Sequence, residues 1–433
     1  MEAASASSAT SGGAVLGDLA WRDLIAISTD LGALRAAMDA GPITYYCGFD
    51  PTAPSLHFGN LVQLVTMRRI QAAGHRPIGV VGGATGLIGD PSGKSIERAL
   101  NERQVVEAWV ERVRSQVERL LVFEGENAAR IVNNLDWTGP MSAIDFLRDI
   151  GKHFTVSRML AKESVAGRLA EGGISYTEFS YQLLQALDYL ELYRRYGCTL
   201  QTGGSDQWGN LTAGVDLIRR VEGAAVHALA TPLITRADGT KYGKTDTETL
   251  WLDPAITSPF AFHQFFLNAD DADIGTLLRT FSLRSRGEIE ALETEHVARP
   301  ETRAAQRALA NELTTLVHGA DEARRADAAS RALFGGGELR ELDDETLATA
   351  VAELPRTELA SADGLPSVVD LLVTTGLAES RGDAKRVVAD GGAYLNNRKV
   401  TDPSAAPTVD DLLHGRWLVL RRGKRQLAAV QVS

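Results

Sequence analysis

Residues 43–81 constrain the fold more than any other stretch. Ile43-Thr44-Tyr45-Tyr46-Cys47 is β-rich and runs into a loop holding Pro51 and Pro54. From Leu61 to Ala73, apolar residues at Leu61, Val62, Leu64, Val65 and Ile70 fall close to helical spacing, and Gly74 closes the run. Ile78 to Val81 then reads as a second strand. Strand, loop, helix and strand within about forty residues form a βαβ unit, which forces the two strands to be parallel. A second such unit comes later. Cys198 to Thr202 reads as a strand, Gly203 to Asp206 as a loop, Trp208 to Val221 as a helix and Val226 to Thr235 as a further strand. The mostly helical stretch from Asn101 to Arg195 lies between them. The expected fold is α/β, a doubly wound, Rossmann-like parallel sheet with a helical insertion.

The remainder divides by composition. Residues 1–15 read as a disordered start. Met1 to Gly13 is small and polar, has no Lys or Arg, and lacks the apolar centre of a signal peptide. Residues 16–245 hold the sheet domain, 246–335 a helical domain rich in Arg, Glu and Ala, and 336–365 a linker that opens on Gly335-Gly336-Gly337. In residues 366–433, Ser367 and Ser380 cap two short helices. A hairpin around Asn396-Asn397 follows, then a second with the basic tip Arg421-Arg422-Gly423-Lys424-Arg425.

Charge separates the tail from the body. The 433 residues carry a net charge of −11, yet Arg381 to Ser433 has ten Lys/Arg against five Asp/Glu. A basic tail on an acidic body is suited to an acidic polymer. Two cysteines, Cys47 and Cys198, exclude a disulfide framework and a four-thiolate zinc site. No apolar run reaches the roughly 18 residues of a membrane span.

Several short motifs carry chemistry, each beside a plainer reading. Gly89-Asp-Pro-Ser-Gly93-Lys94-Ser95 imitates a phosphate-binding P-loop but is one residue short between its glycines. His57-Phe58-Gly59-Asn60 stands at the start of the first helix. Unpaired N–H groups and the helix dipole favour an anion there, and Gly59 allows a flat base to approach; His57 could equally be a cap or a core histidine. Lys241-Tyr242-Gly243-Lys244-Thr245 sets two lysines in a Gly-containing loop, suited to a polyphosphate or simply solvated. Asp206 could meet ribose hydroxyls or cap a helix. Tyr181, Gln185 and Asp188, at i, i+4 and i+7, share one helix face, either solvated or lining a pocket for a small polar ligand. The eight histidines show no metal-binding spacing, and no Gly-x-Ser-x-Gly elbow occurs.

Together and in this order, the motifs resemble a known family. Tyr46 to Asn60 resembles the HIGH region of class I aminoacyl-tRNA synthetases (Pro51, His57, Phe58, Gly59, Asn60), and Lys241 to Thr245 their KMSKS loop. With Gly82 to Asp90 and Gly203 to Trp208 added, the likeness is to the bacterial tyrosyl branch and runs from about Leu16 to Val430. Phe58 and Asn60 depart from Ile and His of the first motif, and Tyr242 from Met of the second.

The resemblance implies roles. Tyr46 and Asp188 would meet a phenol, and Tyr181, Gln185 and Asp90 an α-ammonium group. His57 and Thr52 would meet the γ-phosphate of ATP, while Lys241 and Lys244 would stabilise the departing pyrophosphate. Cys47, Asn60 and Asp206 would lie along the ribose, with Asp50, Gln207 and Gly59 near the nucleotide. The last unit resembles a small RNA-binding domain, which directs Arg381, Lys385, Arg386, Arg398, Arg421, Arg422, Lys424 and Arg425 toward tRNA. The family further implies Mg²⁺ carried with ATP and no dedicated protein metal, together with a homodimer, a cytoplasmic location and no membrane partner. A tryptophan-specific relative is disfavoured by the C-terminal RNA-binding unit and by Tyr46 and Asp188. A non-catalytic RNA-binding scaffold is disfavoured by retention of His57 and both lysines.

Overall fold

The computed structural model describes residues 12–90, 101–160, 165, 169, 173–236, 238–240, 242, 249–334, 337–360, 364–423 and 426–433. They form two compact units, Met1–Asp253 with Asp270–Ala305, and Pro254–Ala269 with Gln306–Ser433.

The first unit is built on a six-stranded sheet. Its strands are β1 (Ile27–Ser28), β2 (Thr44–Phe49), β3 (Arg76–Val81), β4 (Arg130–Asn133), β5 (Cys198–Gly204) and β6 (His227–Thr231), in the order β1-β6-β5-β2-β3-β4. All pairs are parallel except β1 with β6. The strand order reverses between β2 and β5. In open sheets of this kind, the crevice at the carboxyl ends of that pair is where ligands bind.

Four helices position the site. Helix α1 (Phe58–Ala72) starts at a reciprocal cap: the Gly59 N–H donates to His57 Nδ1 at 3.0 Å, and the His57 N–H donates to Asn60 Oδ1 at 3.0 Å. It buries Leu61, Val62, Leu64, Val65 and Ile70, the residues whose spacing predicted it. Helix α2 (Arg103–Leu120) buries Val106, Val110, Val113 and Val117, one stripe at helical period. Helix α3 (Tyr176–Tyr196) is capped by Ser175, whose hydroxyl accepts from Glu178 N–H, and ends at Gly197 in the left-handed region, φ +62°. Helix α4 (Trp208–Glu222) crosses α3 closely at Gly214, where a Cβ would lie 2.8 Å from Tyr189 Cδ1.

The stretch 101–195 is less purely helical than its sequence suggests. It contributes β4, which extends the sheet beside β3. Strand β6 ends at Thr231, four residues before the expected Thr235. The helix Ala14–Trp21 already occupies Ala14 and Val15 of the expected disordered start, with Val15, Leu16 and Leu19 buried.

The second unit carries β7 (Arg356–Leu359), β8 (Ala393–Leu395), β9 (Arg398–Val400), β10 (Trp417–Arg422) and β11 (Gln426–Val432), in the order β7-β11-β10-β8-β9. Both expected hairpins form. Asn396 and Asn397 turn the first with φ of +47° and +65°, the two left-handed residues of a tight hairpin turn. Within the expected linker 336–365, residues 339–359 instead carry a helix and a strand. Asp343 caps the helix Asp344–Ala352, which buries Leu347, Ala350 and Val351, and β7 pairs in parallel with β11. The acidic residues Asp343, Asp344 and Glu345 of this stretch form a helix N-terminus, where carboxylates cap N–H groups and meet the favourable end of the dipole.

Candidate functional site

A cleft of about 480 Å³ opens at the carboxyl ends of β2 and β5, at the strand-order reversal. Its lining comes from β2 (Tyr46, Cys47, Gly48), the loop after it (Asp50, Thr52, His57), the start of α1 (Phe58, Gly59, Asn60, Gln63) and α3 (Tyr181, Gln185, Asp188). The loop after β3 adds Gly82, Thr85 and Asp90, and the end of β5 adds Gln201, Gly203, Gly204, Asp206 and Gln207. The α3 face of Tyr181, Gln185 and Asp188 is therefore a pocket wall, not a solvated stripe.

One part of the lining is buried. Tyr46 is 1% exposed and Asp188 4%. The Tyr46 ring lies 5.2 Å from that of Tyr189. The Tyr46 hydroxyl has no hydrogen-bond partner among the described residues. Burial holds it well above its ordinary pKa, and the nearby Asp188 adds to this. Asp188 accepts from Trp137 Nε1 at 2.8 Å and from Asn134 Nδ2 at 3.0 Å. Burial pushes its carboxyl up to about 7, against the lowering effect of those two donors. A fixed carboxylate beside a lone buried hydroxyl can accept from, and donate to, one further hydroxyl group. Gln185 Oε1 and Gln201 Oε1 are also buried without described partners.

A second group is carboxylate-rich. Tyr181 donates to Asp50 Oδ2 at 2.6 Å, and Thr85 donates to Asp50 Oδ1 at 2.6 Å. Gly82 permits this approach, since a Cβ there would fall on Asp50 Oδ1 and Thr85 Oγ1. Asp90, also buried, accepts from Gln207 Nε2 at 2.7 Å. Burial raises the Tyr181 hydroxyl, and Asp50, Asp90 and Asp188 add to the effect. Among the described lining residues there is no Lys or Arg. The field of this part of the cleft is negative and suits an ammonium group.

The remaining lining is in part open to solvent, at Thr52, His57, Gly59, Asn60 and Asp206. His57 caps α1, and a Cβ on Gly59 would lie 2.9 Å from His57 Cε1, so glycine there gives the imidazole its place. Asn60 is engaged through Oδ1 in the same cap. Thr52 N–H donates to Asp50 O at 2.8 Å. Pro51 packs where a Gly86 Cβ would stand. Cys47 is buried, and desolvation pushes its thiol up to about 12, so it is neutral at physiological pH. Asp206 is exposed at the βα junction, in a 3₁₀ turn that precedes α4. Tyr242 also lines the cleft.

Lys241, Gly243, Lys244, Thr245, Lys424 and Arg425 lie outside the described residues. Of the residues directed toward RNA, Lys385 and Arg398 are exposed, Arg381 pairs with Asp370 at 2.9 Å and Arg386 with Asp383 at 3.9 Å. Arg421 lies 4.1 Å over the Tyr394 ring. Arg422 is engaged internally, donating to Leu377 O at 2.7 Å and to Asp383 at 2.9 Å. It holds the hairpin to the helix Arg381–Ala389. Trp137 and Asn134 were not anticipated from sequence.

Comparison with known proteins gives a consistent picture. Residues 38–335 match the family described as tRNA synthetases class I (W and Y), and residues 346–430 match the tyrosine–tRNA ligase SYY-like C-terminal domain. The tyrosine–tRNA ligases of Streptomyces avermitilis and Streptomyces coelicolor are 63% and 62% identical over 421 residues, spanning 97% of this chain and 99% of each relative. Among solved structures, a C-terminally truncated mitochondrial tyrosyl-tRNA synthetase of Aspergillus nidulans aligns with TM-score 0.68 and 28% identity, over 74% of this chain and 94% of that one. A tyrosyl-tRNA synthetase from Archaeoglobus fulgidus, at 16% identity and TM-score 0.53, shares the fold over 72% of this chain and 99% of that one.

Proposed function

Because the chain belongs to the class I tRNA synthetases of the tryptophan and tyrosine type, we propose that it is a tyrosine–tRNA ligase, with its activation chemistry in the cleft between β2 and β5. The observation that carries tyrosine is that the cleft is lined both by the buried Tyr46 hydroxyl, unpartnered among the described residues, and by the buried Asp188, itself held by Trp137 and Asn134. A phenol can donate to Asp188 and accept from Tyr46, whereas an indole N–H can only donate. Asp90, Tyr181 and Gln185 receive the α-ammonium group, for which the negative field is suited. Gln207 and Asp50 orient these groups from behind.

In the first step a tyrosine carboxylate oxygen attacks the α-phosphorus of ATP. The new O–P bond forms as the bond to the bridging oxygen breaks, and pyrophosphate leaves with that electron pair. In the second step a terminal ribose hydroxyl of tRNA attacks the acyl carbon and AMP departs. The attacking carboxylate is already anionic, so the first step needs no general base. What the protein supplies is position and charge stabilisation. His57 and Thr52 face the γ-phosphate, Lys241 and Lys244 the leaving pyrophosphate, and Cys47, Gly59, Asn60 and Asp206 the nucleoside. Magnesium enters as part of the ATP substrate.

Activation is assigned to residues 16–245, and tRNA contact to the helical residues 246–335 and the basic unit 366–433. Exposed Lys385, Arg386 and Arg398, with the half-buried Arg421, are the residues through which that unit would meet phosphates. We also assign a homodimer. Ile144, Leu147, Val156 and Leu160 are 40% to 70% exposed within one short stretch, an apolar surface suited to a second copy. No helix among the described residues is long and apolar enough to cross a membrane, which accords with a cytoplasmic enzyme. The test is charging of tRNA(Tyr) with labelled tyrosine. Acid-precipitable tyrosyl-tRNA that depends on ATP supports the assignment, and its absence with intact tRNA overturns it.

A further inference from the structure

The two aromatic departures from the nominal motifs, Phe58 for Ile and Tyr242 for Met, touch each other. Their rings stack with centroids 5.4 Å apart and planes inclined by 22°. Tyr242 is held in three further ways. The Arg236 guanidinium lies over its ring at 5.1 Å. Its hydroxyl is hydrogen-bonded to the buried carboxylate of Asp273. Its N–H donates to Ile234 O at 3.2 Å. Phe58 is braced in turn by Phe281, centroids 4.8 Å apart. Phe281 ends the helix Ile274–Phe281, and the carbonyls of Arg279 and Ser282 at that end accept from both Arg22 and Arg69.

The chain after Tyr242 returns to the same place. Phe58 N–H donates to Leu250 O at 2.9 Å, Leu252 N–H donates to Leu56 O at 2.9 Å, and His57 pairs with Trp251 as an isolated bridge. Tyr242 on one side and residues 250–252 on the other therefore both rest on Leu56-His57-Phe58. An ordinary loop tyrosine would lose side-chain entropy on being fixed this way. Stacking and a cation over the ring are the interactions that offset such a loss.

We propose that Tyr242 is a positioning residue for adenylate formation. Its stack on Phe58 fixes Tyr242, which stands between Lys241 and Lys244 in sequence, against the helix end that carries His57. Tyr242 would touch neither tyrosine nor the reacting phosphorus. The inference rests on the activation reading above, and it makes the two aromatic departures a matched pair that joins the signature motifs.

The experiment is single-turnover adenylate formation, with tyrosine affinity measured separately by equilibrium dialysis. Wild-type enzyme is the control: if it forms no tyrosyl-adenylate, the functional reading fails, independently of this inference. Tyr242→Ala should slow the step on the order of 10- to 100-fold, as expected when groups near the reacting centre shift by about an ångström. Its tyrosine Kd should stay within about twofold of wild type, because ground-state amino-acid contacts are untouched. Tyr242→Phe keeps the stack and should retain the rate within about threefold. Phe58→Leu and Tyr242→Leu should be coupled, the double variant losing about fivefold less than the product of the singles. A wild-type rate in Tyr242→Ala, multiplicative Leu substitutions, or equal losses of rate and tyrosine affinity would each overturn the proposal.

Discussion

Replacing Asp188 by Asn tests how the phenol is read. The carboxylate accepts from Trp137 and Asn134 and is buried. In the proposed complex it also accepts from the substrate hydroxyl. A hydrogen bond to a charged group contributes about 1.5–3 kcal/mol, so Asp188→Asn should lower kcat/KM for tyrosine by roughly 10- to 100-fold. Phenylalanine makes no such bond, and with it the wild-type carboxylate stays buried without its third partner. Its kcat/KM should therefore hold or rise. The preference for tyrosine over phenylalanine is about 10⁵ in this enzyme family. It should erode by at least the tyrosine loss.

The same residue predicts a pH dependence. Burial raises the Asp188 carboxyl to about 7, so the group is neutral below that pH and ionised above it. The accepting form is the ionised one, and kcat/KM reports the free enzyme. Tyrosine kcat/KM should therefore climb as pH rises through about 7 in wild type, and Asp188→Asn should lose that limb. The linked stability runs the opposite way. A carboxyl raised in the folded state binds more protons than in the unfolded chain, so stability should fall as pH rises from about 4 to about 7. The assay is ATP–pyrophosphate exchange with each amino acid from pH 5.5 to 9, a window spanning roughly 1.5 pH units or more on either side of that group. An unchanged tyrosine-to-phenylalanine ratio, or the same acid limb in the variant, would refute the reasoning.

Lys241→Ala and Lys244→Ala should each slow adenylate formation by about 2–4 kcal/mol of transition-state stabilisation with little change in tyrosine affinity, checked by single-turnover kinetics. Gly82→Ala should displace Asp50 from Thr85 and Tyr181, raising the tyrosine Kd and lowering Tm; isothermal titration and calorimetry on the same sample read both. Charge reversal at Lys385, Arg386 and Arg398 should leave exchange intact, weaken tRNA binding and flatten its salt dependence by about one unit of slope per lost phosphate contact. Filter binding across a salt series checks this, and an unaltered slope would remove those residues from the RNA face.

The sheet was legible because β2, α1 and β3 bury continuous apolar surface, and such surface imposes its period on the sequence. Strand β4 was not. Arg130-Ile131-Val132-Asn133 is four residues long, pairs among the described residues only with β3 at the sheet edge and is mostly half-buried, so little apolar pattern is required of it. The α3 stripe could be read from spacing, but which side faced the ligand could not. Leu183, Leu187 and Leu190 are buried, and so are Tyr181 and Asp188. Asn134 and Trp137 lie 54 and 51 residues from the carboxylate they hold, and long-range hydrogen bonds leave no local period. Arg422 illustrates the converse. Its place in a basic run suggested RNA, while its geometry spends the charge on Asp383.

Amino-acid-dependent ATP–pyrophosphate exchange with the intact chain tests the central claim most directly. Tyrosine should support exchange and tryptophan should not, because the Tyr46–Asp188 pair offers an acceptor and a donor to one phenolic oxygen. Exchange driven equally well by tryptophan, or by no amino acid at all, would contradict it.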